Sequence, residues 1–92
     1  MAIQTGPQTL PAPRASVRAI AAGAVAVRRD VHEHAELSTE EHRTQKVILD
    51  RLAALGLDDV RAIADTGATA IVRGAKPGPN LLWRADIDGL PL

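Results

Sequence analysis

Two aspartates near the end of the chain, Asp86 and Asp88, have the spacing of a carboxylate pair that could work beside a metal or in catalysis. If residues 81–87 form a strand, alternation places Arg84, Asp86 and Asp88 on one face, with roughly 6.5 to 7 Å between the two aspartates along the strand. Two interpretations stay open. One is a strand end at an active site, where open α/β sheets place their sites, and the other, favoured by alternation alone, is an exposed strand end with a surface ion pair.

The three histidines do not have the spacing of a metal site. His32 and His34 are two residues apart, so on a helix they point to nearly opposite sides and cannot hold one ion. His42 falls on the next predicted helix, and no aspartate or cysteine stands at ligand spacing from any of them. Solvent-facing histidines are therefore the favoured interpretation.

Two helices are expected before the aspartate pair. Apolar residues recur at intervals of three and four from Ser16, a candidate N-cap, to residue 31. Ser38 and Glu41 have the spacing of a capping box, which predicts a second helix over residues 39–55. Gly56 follows as its C-terminal stop.

Short β-type runs follow the helices. Residues 60–64 and 68–72 predict two neighbouring strands joined by a turn at residues 65–67. A loop at residues 76–80 separates them from the predicted third strand, residues 81–87. The expected fold class is α/β: two N-terminal helices and about three strands, an incomplete piece of a larger α/β catalytic domain of the zinc-peptidase type. Residues 1–14, rich in proline, are predicted to be a disordered tail, with residues 15–92 as the N-terminal part of that domain.

Composition excludes several classes of partner. Eleven basic and eleven acidic side chains give a net charge of zero, which argues against nucleic-acid and anionic-membrane binding. A helix-turn-helix module is disfavoured because the second helix mixes Arg43 and Lys46 with Glu40 and Asp50.

No run of apolar residues is long enough for a membrane span, and the start of the chain is not ordered like a secretory signal, so a cytoplasmic location is expected. The small core predicts marginal stability and a tendency to aggregate.

Five blocks of sequence resemble the N-terminal region of one enzyme family. The family comprises amidohydrolases related to hippurate hydrolase, N-acyl-amino-acid deacylase and auxin-conjugate hydrolase. The similarity covers residues 16–92 but only the first part of a typical member. The blocks agree in order and spacing: residues 28–38 (RRDVHEHAELS), 40–44 (EEHRT), 52–56 (LAALG), 66–67 (TG) and 82–91 (LWRADIDGLP).

The resemblance implies a metal-dependent amidohydrolase with two adjacent divalent ions, zinc or manganese, and a smaller lid and dimerisation domain. In such enzymes metal-held water attacks the amide carbonyl while a glutamate acts as general base. Asp86 stands where more distant relatives have a metal-binding histidine, and Asp88 where they have the carboxylate that orients it. Both are carried over as metal-proximal candidates and not as ligands. The expected substrate of the complete enzyme is a small N-acyl amino acid or peptide-like amide, and a homodimer is expected.

Departures from the family pattern limit what this chain can do. Ala35 replaces a usual proline, Thr39 a common aromatic, and Trp83 a small aliphatic residue. The family's Cys-Gly-His-Asp metal segment, its glutamate base and its later histidine ligands have no counterpart in these 92 residues. No catalytic residue, no metal ligand and no bound metal are therefore expected within this chain.

Two hypotheses about function follow. The first is part of an amidohydrolase, inactive alone, whose complete form cleaves N-acyl-amino-acid or peptide-like amides. The second is a small non-catalytic interaction module that keeps the helices and strands of the fold. The DNA after the codon for Leu92 separates them, because the first hypothesis requires the missing Cys-Gly-His-Asp block downstream.

Overall fold

A computed structural model describes residues 14–91. The elements are helix α1 (Ala15–Glu33), helix α2 (His42–Ala54), strand β1 (Asp58–Ile63) and strand β2 (Gly67–Ile71). The expected α/β class is confirmed. The disordered tail predicted for residues 1–14 lies outside the described part, except for Arg14.

Helix α1 begins one residue before the predicted N-cap. Arg14 has extended backbone angles (φ −60°, ψ 151°) and its carbonyl accepts the amides of Val17 and Arg18 at 3.0 and 3.1 Å. Ser16 therefore lies inside the helix and does not cap it. At the other end, the His34 amide donates to the Asp30 carbonyl at 3.2 Å. No residue of α1 is buried.

Helix α2 begins later than the predicted capping box requires. Thr39 has a φ of 70°, so the chain turns there instead of entering the helix. Glu41 takes the N-cap position without a side-chain capping bond of its own. The prediction of a Ser38 to Glu41 capping box is wrong, because a carboxylate from the preceding loop takes over the capping role. The predicted glycine stop is confirmed: Gly56 has a φ of 70° and its amide donates to the Ala53 carbonyl at 3.0 Å.

Strands β1 and β2 form an antiparallel hairpin, as predicted, with slightly different ends. Ala62 pairs with Ala68 and Ile63 with Gly67, and the register shifts between Asp58 and Arg61. The turn uses left-handed backbone, with φ of 48° at Ala64 and 70° at Asp65. The side of α2 packs on both strands of the hairpin.

The predicted third strand is wrong. Residues 81–87 have no strand assignment, and the sheet of the described chain contains only β1 and β2. Leu81, Leu82 and Trp83 are 88, 91 and 86% exposed, so the first half of this segment is uncovered on both faces. Alternating side chains define two faces, but a strand forms only where a neighbouring strand supplies hydrogen bonds.

Polar side chains occupy the buried positions of this fold. Among residues 14–91 no hydrophobic side chain is buried, whereas Glu41, Thr44 and Thr66 are 6, 1 and 5% exposed. The start of α2 and the hairpin turn are thus joined by hydrogen bonds more than by apolar packing. Neither described helix is long and apolar enough to cross a membrane.

Candidate functional site

The loop before α2 provides the carboxylate that caps this helix. Glu36 Oε1 accepts hydrogen bonds from the Thr44 amide at 2.6 Å and the Thr44 hydroxyl at 2.7 Å, and its Oε2 accepts from the Arg43 amide at 3.1 Å. These are amides of the first turn, which have no partner inside the helix. The Thr44 hydroxyl, then the two backbone amides, lower the pKa of Glu36, with a smaller contribution from His42.

A second carboxylate connects the start of α2 to the hairpin. Glu41 Oε2 accepts a hydrogen bond from the Thr66 hydroxyl at 2.9 Å. Gln45, one turn further along the helix, donates through Nε2 to the carbonyls of Asp65 and Gly67 at 2.9 and 2.8 Å. The turn between β1 and β2 is therefore fixed against the first turn of α2.

An ion pair connects α1 to α2. Arg43 Nη2 donates to both carboxylate oxygens of Asp30, at 2.9 and 3.1 Å. This hydrogen bond is the main cause of a lowered pKa at Asp30. Arg43 Nη1 is buried and has no hydrogen-bond partner within residues 14–91.

The segment that contains Asp86 and Asp88 contacts the loop that contains Glu36. The Gly89 amide donates to the Glu36 carbonyl at 2.6 Å. A Cβ at Gly89 would lie 2.9 Å from the Ala35 Cβ, so the backbone approaches closely there. Arg84 Nη2 lies 2.7 Å from Asp86 Oδ1, with the two side chains 79 and 67% exposed.

Asp86 and Asp88 line one cavity together with the start of α2 and the hairpin turn. Its volume is about 260 Å³. The depression is shallow and open to solvent. Asp86 has a surface ion pair with Arg84, and both exposed aspartates border the depression next to buried Glu41. The lining residues are Ser38, Glu41, Ala64, Thr66, Gly67, Arg84, Ala85, Asp86, Ile87 and Asp88.

The side chains at this cavity do not make a metal site by themselves. No group of three or more histidine, cysteine, aspartate or glutamate side chains within residues 14–91 is arranged to hold an ion. His34 Nδ1 instead donates to the Asp30 carbonyl at 3.0 Å and lies 3.5 Å from its carboxylate. The carboxylates at the cavity can accept hydrogen bonds, and the donor set does not fit a complete divalent ion site.

Sequence analysis missed the roles of Glu36, Thr44 and Thr66. Glu36 lies seven and eight residues before the amides it accepts, and Thr66 lies 25 residues after Glu41. Capping patterns compare residues three apart, so they assigned Glu41 to Ser38. An acidic residue in the loop just before the helix was the only available signal for Glu36.

Comparison with known proteins finds hydrolases at moderate identity. The chain is 36% identical over 77 residues to thermostable carboxypeptidase 1 of Saccharolobus solfataricus, an alignment that covers 83% of this chain and 20% of the carboxypeptidase. It is 38% identical over 71 residues to N-acetyldiaminopimelate deacetylase of Streptococcus thermophilus, covering 74% of this chain and 19% of the deacetylase. No family model matches the chain, and no solved structure matches it.

A third relative has a different name. A putative glutamate–cysteine ligase 2-3 of Rhodococcus jostii is 46% identical over 65 residues, covering 71% of this chain but 8% of that protein. The aligned segment is too small a part of that protein for its name to describe this chain. The chain spans about a fifth of the length of the carboxypeptidases and deacetylases it matches. The relatives at 36–38% identity named here are thus peptidases and deacetylases.

Proposed function

We propose that this chain is the N-terminal portion of a metal-dependent amidohydrolase that cleaves N-acyl-amino-acid or peptide-like amide bonds. The observation that carries the proposal is the similarity to carboxypeptidases and N-acetyldiaminopimelate deacetylases over about three quarters of the chain. Both names describe hydrolysis of an amide bond next to an amino acid. The substrate class proposed here is the chemistry that the two have in common.

The exposed apolar surface supports a role as part of a larger domain. Twelve large hydrophobic side chains between residues 14 and 91 are exposed. Leu52, Leu57 and residues 68–83 line an open groove of about 1210 Å³. Surfaces of this kind normally lie against other protein. In the proposed complete enzyme the remaining catalytic domain covers them, and this chain alone is inactive.

Metal dependence is part of the proposal and rests on the family resemblance. The complete enzyme contains two divalent ions, zinc or manganese, held by residues that this chain does not include. Asp86 and Asp88 are metal-proximal residues in this proposal, which their shared cavity supports. A cytoplasmic location and a homodimer of the complete enzyme are also proposed. The balanced charge supports the proposed absence of nucleic-acid and membrane partners.

A chimera tests this function. The corresponding segment of thermostable carboxypeptidase 1 is replaced by residues 16–92 of this chain, and peptide hydrolysis is measured with and without a chelator. We expect chelator-sensitive hydrolysis with kcat/KM within about tenfold of the parent, a change of about 1.4 kcal/mol in the activation barrier. The 92-residue chain alone is expected to give no hydrolysis. A folded chimera without activity would contradict the proposal.

Substitution of the aspartates makes the test specific. In the chimera, Asp86→Asn and Asp88→Asn are each expected to lower kcat/KM by about 10- to 100-fold, the range for residues that orient metal ligands. Asp50→Asn is the matched control, since Asp50 makes an exposed pair with Lys46 on α2. Equal activity of all three variants would argue against a metal-proximal role.

A further inference from the structure

Glu36 is the point at which the aspartate segment and helix α2 meet. Its carboxylate accepts two backbone amides and one hydroxyl from the first turn of α2, at 2.6 to 3.1 Å. Its main-chain carbonyl accepts the Gly89 amide at 2.6 Å. One residue therefore connects, through two different groups, the helix start to the backbone that follows Asp88.

The contact at Gly89 depends on the absence of a side chain. The nearest atoms to a Cβ at this position would be the Ala35 Cβ at 2.9 Å, the Glu36 carbonyl oxygen at 3.5 Å and the Glu36 nitrogen at 3.6 Å. A Cβ at 2.9 Å from another Cβ requires one of the two backbones to move. The Glu36 side chain is bonded to the first turn of α2, whereas residues 81–87 have no strand partner among the described residues, so we expect the segment with Gly89 to move.

We propose that Glu36 is a positioning residue that sets where Asp86 and Asp88 lie relative to the cavity at the start of α2. Asp88 immediately precedes Gly89 in the chain, so its backbone is fixed within one residue of the Glu36 carbonyl. Residues 81–87 have no strand partner within the described part that could fix them otherwise. The proposal rests on the proposed function only for the chemical role of the two aspartates.

The cavity shows what would change if the contact between Gly89 and Glu36 were lost. Ser38 and Glu41 line the cavity from the α2 side, and residues 84–88 line it from the other. A shift of Gly89 away from Glu36 would move Asp88 relative to Glu41 and change the cavity. Glu36 itself is not among the lining residues. Its influence on the aspartates is therefore indirect.

Amide exchange of the 92-residue chain tests the proposal by NMR. In the unaltered chain, the Gly89 amide should exchange at least ~10-fold more slowly than the amide of exposed Gly78, because the first is hydrogen-bonded. A nuclear Overhauser contact between the Gly89 amide and the Ala35 methyl is also expected. A Gly89 amide without slowed exchange would overturn the proposal.

Substitution of Glu36 tests the coupling itself. Glu36→Ala retains the main-chain carbonyl but removes the cap, so we expect Gly89 protection to fall by on the order of tenfold. The Leu55 amide at the far end of α2, which donates to the Arg51 carbonyl, should retain its protection. Glu33→Ala is the control. Unchanged Gly89 protection in a folded Glu36→Ala chain would overturn the proposal. If that variant unfolds, Glu36→Gln provides the measurement. The glutamine side chain has only one acceptor oxygen, so its NH2 group must face one of the helix amides that the carboxylate accepted. Reduced Gly89 protection would support the coupling, and unchanged protection would overturn it.

Gly89→Ala provides the reciprocal measurement. It should move the side-chain carboxyl resonances of Asp86 and Asp88 while leaving the Thr44 amide, which the Glu36 carboxylate accepts, unshifted. Gly78→Ala is the matched control, since a Cβ there meets nothing within 4 Å. Aspartate resonances that move no more than in the control would overturn the proposal. None of these measurements needs catalysis, so an inactive chimera would count against the proposed function and leave this coupling intact.

Discussion

The Thr66 hydroxyl donates a 2.9 Å hydrogen bond to the Glu41 carboxylate, and both side chains are almost fully buried. Thr66 ends the hairpin turn and Glu41 precedes α2, so this bond connects two elements that are far apart in sequence. In a fold whose described part buries no hydrophobic side chain, such polar contacts determine how the elements are arranged. A buried charge without partners is costly, which makes the contact sensitive to substitution.

Removal of the Thr66 hydroxyl should destabilise the connection between helix and hairpin. Thr66→Val leaves a Glu41 oxygen without its donor, and the expected loss in free energy of unfolding is about 1.5 to 3 kcal/mol, as for other hydrogen bonds to charged groups. Urea unfolding followed by circular dichroism measures it. Thr66→Ser retains the donor and should lose much less. Thr69→Val on β2 is a further control, and an equal loss there would show that the hydroxyl of Thr66 has no special role.

Acid should weaken the start of α2. The pKa of Glu36 is lowered by the Thr44 hydroxyl and two backbone amides, so protonation is harder in the folded chain than in the unfolded one. The resulting stability is fully present above the ordinary pKa of a glutamate and is lost as the pH falls through the lowered folded-state value. Asp30, whose pKa is lowered mainly by the Arg43 hydrogen bond, contributes with the same sign.

Helicity measured by circular dichroism as a function of pH tests this dependence. The unaltered chain should lose helical signal on acidification, and Glu36→Gln should show a smaller acid-dependent change because its cap does not titrate. Glu33→Gln, on the exposed end of α1, should behave like the unaltered chain. An acid transition of equal size in Glu36→Gln would assign the effect to other carboxylates.

Local patterns predicted the helices and the hairpin, whereas contacts between distant residues escaped prediction. Gly56 and the turn after Ala64 could be recognised because the conformation each requires is determined by adjacent residues. The strand predicted for residues 81–87 failed because alternation cannot tell whether a neighbouring strand exists. Asp86 and Asp88 were identified by residue type and spacing. Their shared cavity with Glu41 depends on how the loop before α2 folds, which no short pattern encodes.

Gly56 should be required for the end of α2 because of its backbone conformation alone. Its φ is 70°, and a Cβ there would meet nothing within 4 Å. Gly56→Ala is therefore expected to cost about 1 to 2 kcal/mol in free energy of unfolding through left-handed strain and not through a clash. Gly78→Ala, with similar open space and no positive φ, should cost little. Thermal unfolding of the two variants provides the measurement, and equal midpoints would contradict the strain argument.

Trp83 should report whether the open groove lined by Leu52, Leu57 and residues 68–83 is covered. It is the single tryptophan of the chain and is 86% exposed. In dilute monomer its fluorescence should resemble that of tryptophan in water and be quenched efficiently by acrylamide.

In the carboxypeptidase chimera, where the rest of a catalytic domain is present, we expect blue-shifted emission and weaker quenching because apolar side chains of that domain cover the groove. Any tryptophan in the carboxypeptidase part of the chimera is replaced by phenylalanine for this measurement. Leu81→Ser should leave the monomer spectrum unchanged, since Leu81 is also exposed there, and blue-shifted emission from the dilute monomer would mean that the chain covers this groove by itself.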